Sequence, residues 1–271
     1  MASMTGMRPR LLAVDLDGTL LSDRRTIPAA HREFYRWCQQ ECIPMVVVTG
    51  RPLVTAVWPW RELAMVDPLV CFNGAWIGCP GEPAIAHEPL AEDEVRQIIQ
   101  VLRRYDGMIS TYPREDGWLV DRLIPLAVDW PERYDVAIAV DAAPFDDWRG
   151  PSSKVMFVAE PVQISRVLPE LQRELGARFH IVASEPDRIE LHRLGRTKAW
   201  GLAHLAAHWD IPRDAVWAAG DADNDIEMIE WAGRGFAMAG ATPALAEAAD
   251  DELPSAQAGG LSAWRALIEA I

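Results

Sequence analysis

Basic residues are in short supply: 26 Lys and Arg stand against 40 Asp and Glu in 271 residues, a formal charge of −14. No basic face is evident, which argues against nucleic acid or an anionic membrane as partners. Any phosphate site must therefore be built locally, from a metal and a few cations. Cysteine is scarce too. Cys38, Cys42, Cys71 and Cys79 make no disulfide framework. The Cys38/Cys42 pair, four apart on an expected helix, reads as two reduced thiols, so a cytoplasmic protein is expected. No apolar run reaches membrane-spanning length, and no basic leader precedes an apolar segment. Repeats and low-complexity tracts are absent. Met1–Gly6 resembles the start of an expression tag and is set aside.

Half the residues are hydrophobic and 24% are charged, an ordinary globular composition. The length suits one large or two modest domains. Leu11-Leu12-Ala13-Val14 reads as a fully buried strand of a parallel sheet. A helix is expected from Pro28 to Gln40, and a second strand over Ile43–Val48. The next helix runs toward Leu63, with Trp58-Pro59-Trp60 expected to kink or end it. A third strand, Pro68–Phe72, runs into Asn73-Gly74, a strong hairpin signal. This alternation predicts an α/β fold with a doubly wound parallel sheet. From about Gly81 to Glu190 the character changes to a mixed α+β pattern, and the alternation then returns. Thr197–Trp209 reads as a helix, Asp214–Ala219 as a strand and Gly259–Ile271 as the last helix. One domain is thus interrupted by another.

The chemistry-bearing residues gather at strand and helix ends. Asp15 and Asp17 follow the first strand, at the edge where open α/β sheets place ligands. Two carboxylates one residue apart repel unless a cation or shared proton reconciles them, and Mg²⁺ is the natural choice. Gly18 permits a sharp turn, and Thr19 offers a hydroxyl at the rim. Thr49-Gly50 closes the second strand, where a hydroxyl and a backbone N–H can hold a phosphate oxygen, although such turns are also common without function. Lys198 stands at a helix entrance, in the positive potential of the helix N-terminus. Asp221, Asp223 and Asp225 crowd the end of a strand and the start of a helix, again calling for a cation. An EF-hand is excluded, because its flanking helices and terminal glutamate are missing.

Taken together, Asp15-Leu16-Asp17-Gly18-Thr19-Leu20, Thr49-Gly50-Arg51, Lys198 and Gly220-Asp221-Ala222-Asp223-Asn224-Asp225 resemble the four motifs of the haloacid dehalogenase superfamily. The TGR form and Asn73-Gly74-Ala75 resemble its Cof-like (IIB) branch. The resemblance implies a Rossmann-like core over 7–81 and 191–271, with a C2B cap inserted over 82–190. It implies a Mg²⁺-dependent phosphatase of small phosphorylated metabolites, sugar phosphates among the candidates, working as a monomer or weak homo-oligomer. Asp15 is then the nucleophile and Asp17 the general acid and base. Thr49, Gly50, Arg51, Lys198 and Asn224 take phosphate oxygens. The metal falls to Asp15, the Asp17 backbone carbonyl and Asp221, with Asp225 supporting it through water or hydrogen bonds. Relatives often read S-K-G-x-A-L where this chain has Thr197-Lys198-Ala199-Trp200-Gly201-Leu202, so the bulky Trp200 puts the local packing in question. A phosphomutase of the same fold, and a non-catalytic binding protein, are the alternatives. Outside these motifs, His204 and His208 have the spacing of a metal pair but lack the accompanying acid. Most of the twelve tryptophans are expected in cores, with Trp118, Trp130 and Trp148 candidates for a sugar-binding face.

Overall fold

The computed structural model describes residues 7–23, 25–113 and 117–271, and Met1–Gly6 lies outside them. The chain divides into two compact units: Met1–Gly50, Pro59–Ile85 and Thr197–Ile271 form the first, and Arg51–Trp58 with Ala86–Arg196 the second.

The strands, in chain order, are β1 (Leu11–Val14), β2 (Met45–Val48), β3 (Leu69–Cys71), β4 (Trp76–Gly78) and the two-residue β5 (Ala86–His87). There follow β6 (Met108–Thr111), β7 (Leu119–Val120), β8 (Ala139–Val140), β9 (Val155–Val158), β10 (Phe179–Glu185) and β11 (Arg188–Arg193). The chain ends with β12 (Val216–Gly220), β13 (Arg234–Met238) and β14 (Asp251–Leu253). The helices are α1 (Ala29–Gln40), α2 (Leu53–Glu62), α3 (Glu92–Leu102), α4 (Trp130–Tyr134), α5 (Pro161–Leu175), α6 (Lys198–His208), α7 (Ile226–Trp231), α8 (Pro243–Ala248) and α9 (Ala263–Glu269).

In the first unit β14-β13-β12-β1-β2-β3 lie side by side and parallel, and β4 returns antiparallel to β3. Every side chain of β1 and β2 is buried. Each large aliphatic one there contributes about 1.5–3 kcal/mol of transfer free energy. Helices cover the strands, α6 over β2–β4 and α7 over β12 and β13. The register sets Val14 between Val47 and Ala219. Asp15, Thr49 and Asp221 therefore emerge at the carboxyl ends of three adjacent parallel strands.

The second unit is a six-stranded sheet in the order β10-β11-β9-β6-β7-β8. Ile189, Leu191, Val155, Phe157 and Ile109 join α3 and α5 in one hydrophobic core, and Trp148 lies in it. By alternation, Glu190, Lys154 and Ser110 take the other face. There Lys154 Nζ stands 2.7 Å from Glu190 Oε1, and His192 Nε2 3.0 Å from Glu190 Oε2. Trp118 and Trp130 pack ring to ring at 5.6 Å, with Tyr134 against both, and the Trp118 indole donates to Ser110 Oγ. All three tryptophans considered for a sugar face are thus buried among their own neighbours.

Several elements depart from the sequence-based expectation. Pro59 does not end α2, which runs through it to Glu62. The N–H it removes would have met the Thr55 carbonyl, and the Arg51 guanidinium stands 3.4 Å from that oxygen instead. The last helix is confined to Ala263–Glu269. Gly259 turns left-handed at φ +77°, and a β-carbon on Gly260 would meet the Pro254 carbonyl oxygen at 1.8 Å. β14 is unexpected, because Asp251-Glu252-Leu253 carries no strand pattern; it forms as an edge strand against β13.

Candidate active site

Asp15 is pinned from the neighbouring strand, its N–H donating to the Ala219 carbonyl at 2.9 Å. The chain then folds back, Leu20 N–H reaching the Asp15 carbonyl and Leu21 N–H the Leu16 carbonyl. Gly18 makes this turn possible with φ +79°. Buried Thr19 donates its hydroxyl to Asp221 Oδ1 at 3.1 Å. The Asp15–Thr19 loop and the loop after β12 are therefore tied by a side-chain bond as well as by the sheet.

Lys198 opens α6, whose N-cap Thr197 accepts the Trp200 N–H. The helix seats closely because two glycines meet. A β-carbon on Gly74 would lie 2.3 Å from the Thr197 carbonyl oxygen, and one on Gly201 would lie 2.8 Å from the Gly74 Cα. Buried Lys198 Nζ then stands 2.6 Å from both Asp15 Oδ1 and Asp225 Oδ1. The other Asp225 oxygen accepts the N–H groups of Asp221 and Ala222, each at 3.1 Å. Both Asp225 oxygens are thus engaged by the protein, and Asp225 holds Lys198 and the Asp221 turn in place. Asp223 faces away, accepting from the Thr242 hydroxyl at 2.6 Å.

The cluster is electrostatically loaded. Asp15, Asp221 and Asp225 each bring a carboxylate oxygen within 4.8 Å of the others. Burial raises the Asp15 carboxyl well above its ordinary range; Lys198 opposes this, and Asp225, Asp221 and Asp17 add to it. Asp221 is pushed up to about 6, by burial and by Asp225. Lys198, despite burial, is held protonated by Asp15 and Asp225. Three carboxylates facing one ammonium leave two negative charges in a mostly buried space, which is costly unless neutralised. A divalent cation with oxygen ligands matches both the charge and the donor chemistry. The Asp15, Asp221 and Asp225 carboxylates could hold such an ion, Mg²⁺ included.

Asp17 is exposed, and its charge is felt by both Asp15 and Asp221. Thr49 is buried at the end of β2, its N–H donating to the Val70 carbonyl and its carbonyl accepting from Asn73 N–H. Asn224 lies with Nδ2 3.5 Å from Asn73 Oδ1. Arg51 belongs to the second unit. The structure thus gathers Asp15, Asp221, Asp225 and Lys198 directly, and sets Thr49, Gly50 and Asn224 around Asn73. Sequence alone marks Asn73 as a turn residue and as part of the Cof-like resemblance, and misses it as a neighbour of the site; its place just past a third parallel strand is the available signal. The Trp200 bulk is accommodated on α6 itself, its ring stacked on His204 at 5.1 Å.

The family model for haloacid dehalogenase-like hydrolases matches residues 12–264. The chain is 27% identical over 250 residues to the putative phosphatase YxeH of Bacillus subtilis, covering 89% of this chain and 91% of that protein. It is 28% identical over 261 residues to the 5-amino-6-(5-phospho-D-ribitylamino)uracil phosphatase YitU of the same organism, covering 90% and 91%. A haloacid dehalogenase-like hydrolase from Bacteroides thetaiotaomicron superposes with a TM-score of 0.87 at 27% identity, over 97% of this chain and 99% of that one. Since the matched span runs from β1 through the Asp221 turn and on into the last helix, the chain belongs to the haloacid dehalogenase-like hydrolase family.

Proposed function

We propose that this hydrolase is a Mg²⁺-dependent phosphatase of small phosphorylated metabolites, acting in the cytoplasm through an aspartyl phosphate on Asp15. The observation that carries the reading is the lysine bridge, with Nζ 2.6 Å from both Asp15 and Asp225. It fixes one Asp15 oxygen and leaves the other to attack phosphorus in line. Asp17, exposed next to the nucleophile, gives its proton to the leaving alkoxide. It then takes one from the water that attacks the aspartyl phosphate, releasing inorganic phosphate and restoring Asp15. Thr49, Gly50, Lys198 and Asn224 hold the phosphoryl oxygens. Bound Mg²⁺ would supply charge neutralisation between nucleophile and phosphoryl group. The two curated relatives named above are both called phosphatases, one for a phosphorylated ribitylaminouracil, which supports a small phosphate ester as substrate. Residues 82–190 are read as the inserted cap, a reading supported by the compact unit that takes in Ala86–Arg196.

Phosphate release across a panel of metabolite esters, with Mg²⁺ or with EDTA, tests the reading. Wild type is expected to turn over only with Mg²⁺, and Asp15→Asn to lose at least about 10³-fold, as nucleophile removal does elsewhere. Equal release by the two proteins would refute it.

A further inference from the structure

The turn between β3 and β4 is unusual in its backbone. Phe72, Asn73 and Gly74 have φ values of +53°, +53° and +98°, three successive left-handed residues, and the first carries a bulky side chain. Such conformations cost about 1–3 kcal/mol each outside glycine and persist where the surroundings enforce them. A hairpin turn accepts positive φ at Asn and Gly; this turn extends it to Phe72. Its result is that Asn73, almost wholly buried, is locked against two loops of the site at once. Its N–H donates to the Thr49 carbonyl at 3.0 Å. Its amide fills the space above Gly50, where a β-carbon would stand 2.9 Å from Asn73 Oδ1. Its Oδ1 lies 3.5 Å from Asn224 Nδ2, at the outer limit of a hydrogen bond. The next residue, Gly74, is the contact that admits the first turn of α6 and so Lys198.

We infer that Asn73 is a positioning residue for phosphoryl transfer, holding the Thr49–Gly50 loop and Asn224 at the spacing required by the equatorial oxygens of the phosphorus in flight. The inference rests on the proposed phosphatase reading and deepens it. Asn73 touches neither Asp15 nor Lys198 in any bond described above; it acts through the residues that grip the phosphoryl group. Groups set for the transition state contribute more to a trigonal-bipyramidal oxyanion than to a tetrahedral one. Orthovanadate and inorganic phosphate report on those two shapes.

The test uses the full chain with Mg²⁺, reading binding of both anions by calorimetry alongside kcat/KM. Asn73→Gly keeps the left-handed backbone and removes the amide, so its melting temperature should stay near wild type. Vanadate affinity and kcat/KM should both fall on the order of tenfold to a hundredfold, the range that small misplacements produce. Phosphate affinity should change much less. Gly50→Ala should weaken vanadate too, and add little in the Asn73→Gly background, where its clash partner is gone. Should Asn73→Gly fail to fold, Asn73→Ser, which also withdraws the amide, is read by the same ratio. Wild-type binding of both anions with an unchanged vanadate-to-phosphate ratio in the variant overturns the inference alone. A wild type that binds neither anion and releases no phosphate overturns the phosphatase reading, and this inference with it.

Discussion

A β-carbon on Gly18 would stand 2.3 Å from Asp221 Oδ2 and only slightly farther from the rest of that carboxylate. The residue is also left-handed, at φ +79°. Alanine there carries the steric cost of that conformation, about 1–2 kcal/mol, and drives Asp221 away from Asp15. Gly18→Ala is expected to remain folded while requiring roughly 10–100-fold more Mg²⁺ for half-maximal activity, the size of effect that displaced ligand geometry produces. A Mg²⁺ titration of initial rates beside a thermal melt separates the two effects. An unchanged Mg²⁺ requirement would show that Asp221 is not held there for a cation.

At the scale of elements, two buried polar contacts carry predictions. The chain has two lysines, Lys154 and Lys198, and both are buried against carboxylates. Lys154 holds Glu190, whose carboxyl is pulled far below its ordinary range by Lys154 and His192 even though burial pushes the other way. Lys154→Met leaves that charge uncompensated and should cost about 3–5 kcal/mol in urea unfolding, with Lys154→Met/Glu190→Leu recovering most of it. A double variant no more stable than the single one would contradict this. In the first unit, His31 Nδ1 donates to the Leu20 carbonyl at 2.9 Å and Nε2 accepts the Leu261 N–H at 3.2 Å. Burial lowers the His31 pKa, against the Leu20 bond. The folded state therefore favours neutral imidazole. Its contribution is complete above the unfolded value, about 6.5, and is lost as pH falls from there through the lowered folded value. Wild type should lose up to about 1.4 kcal/mol per pH unit in that window relative to His31→Gln. Parallel curves from pH 7 to 5 would rule it out.

The elements also differ in how far the sequence alone declares them. The unbroken apolar runs at Leu11–Val14 and Met45–Val48 suit a strand buried on both faces, so the sheet and the edge carrying Asp15 and Thr49 are legible. So is Lys198, because its place at a helix entrance ahead of the Gly220–Asp225 turn resembles that of the superfamily lysine. Illegible are features that depend on partners distant in sequence. Asn73 gains its role only when Gly50 and Asn224 are brought to it. Pro59 is tolerated inside α2 in a setting where Arg51 approaches the carbonyl it leaves. Asp251-Glu252-Leu253 becomes a strand only because β13 presents an edge.

On the scale of the whole molecule, the second unit owns its core. Every side chain of that cluster lies between Leu90 and Leu191, and the six strands of its sheet lie between Met108 and Arg193. Residues 86–196 expressed alone are therefore expected to fold, with dispersed amide resonances and cooperative thermal unfolding; a molten ensemble would show that they depend on the rest of the chain. The first unit has no such independence in time. Its central strands β1 and β12 come from opposite ends of the chain, and the Thr19–Asp221 bond joins residues 202 positions apart. During synthesis, β1 and β2 leave the ribosome long before β12 exists to lie beside β1. Each nascent chain thus carries a bare apolar strand edge through most of its translation, the state in which chains mispair and in which holdase chaperones are useful. Hydrolytic competence arrives only at the end, when the Asp221–Asp225 turn emerges and closes a ring begun at Asp15.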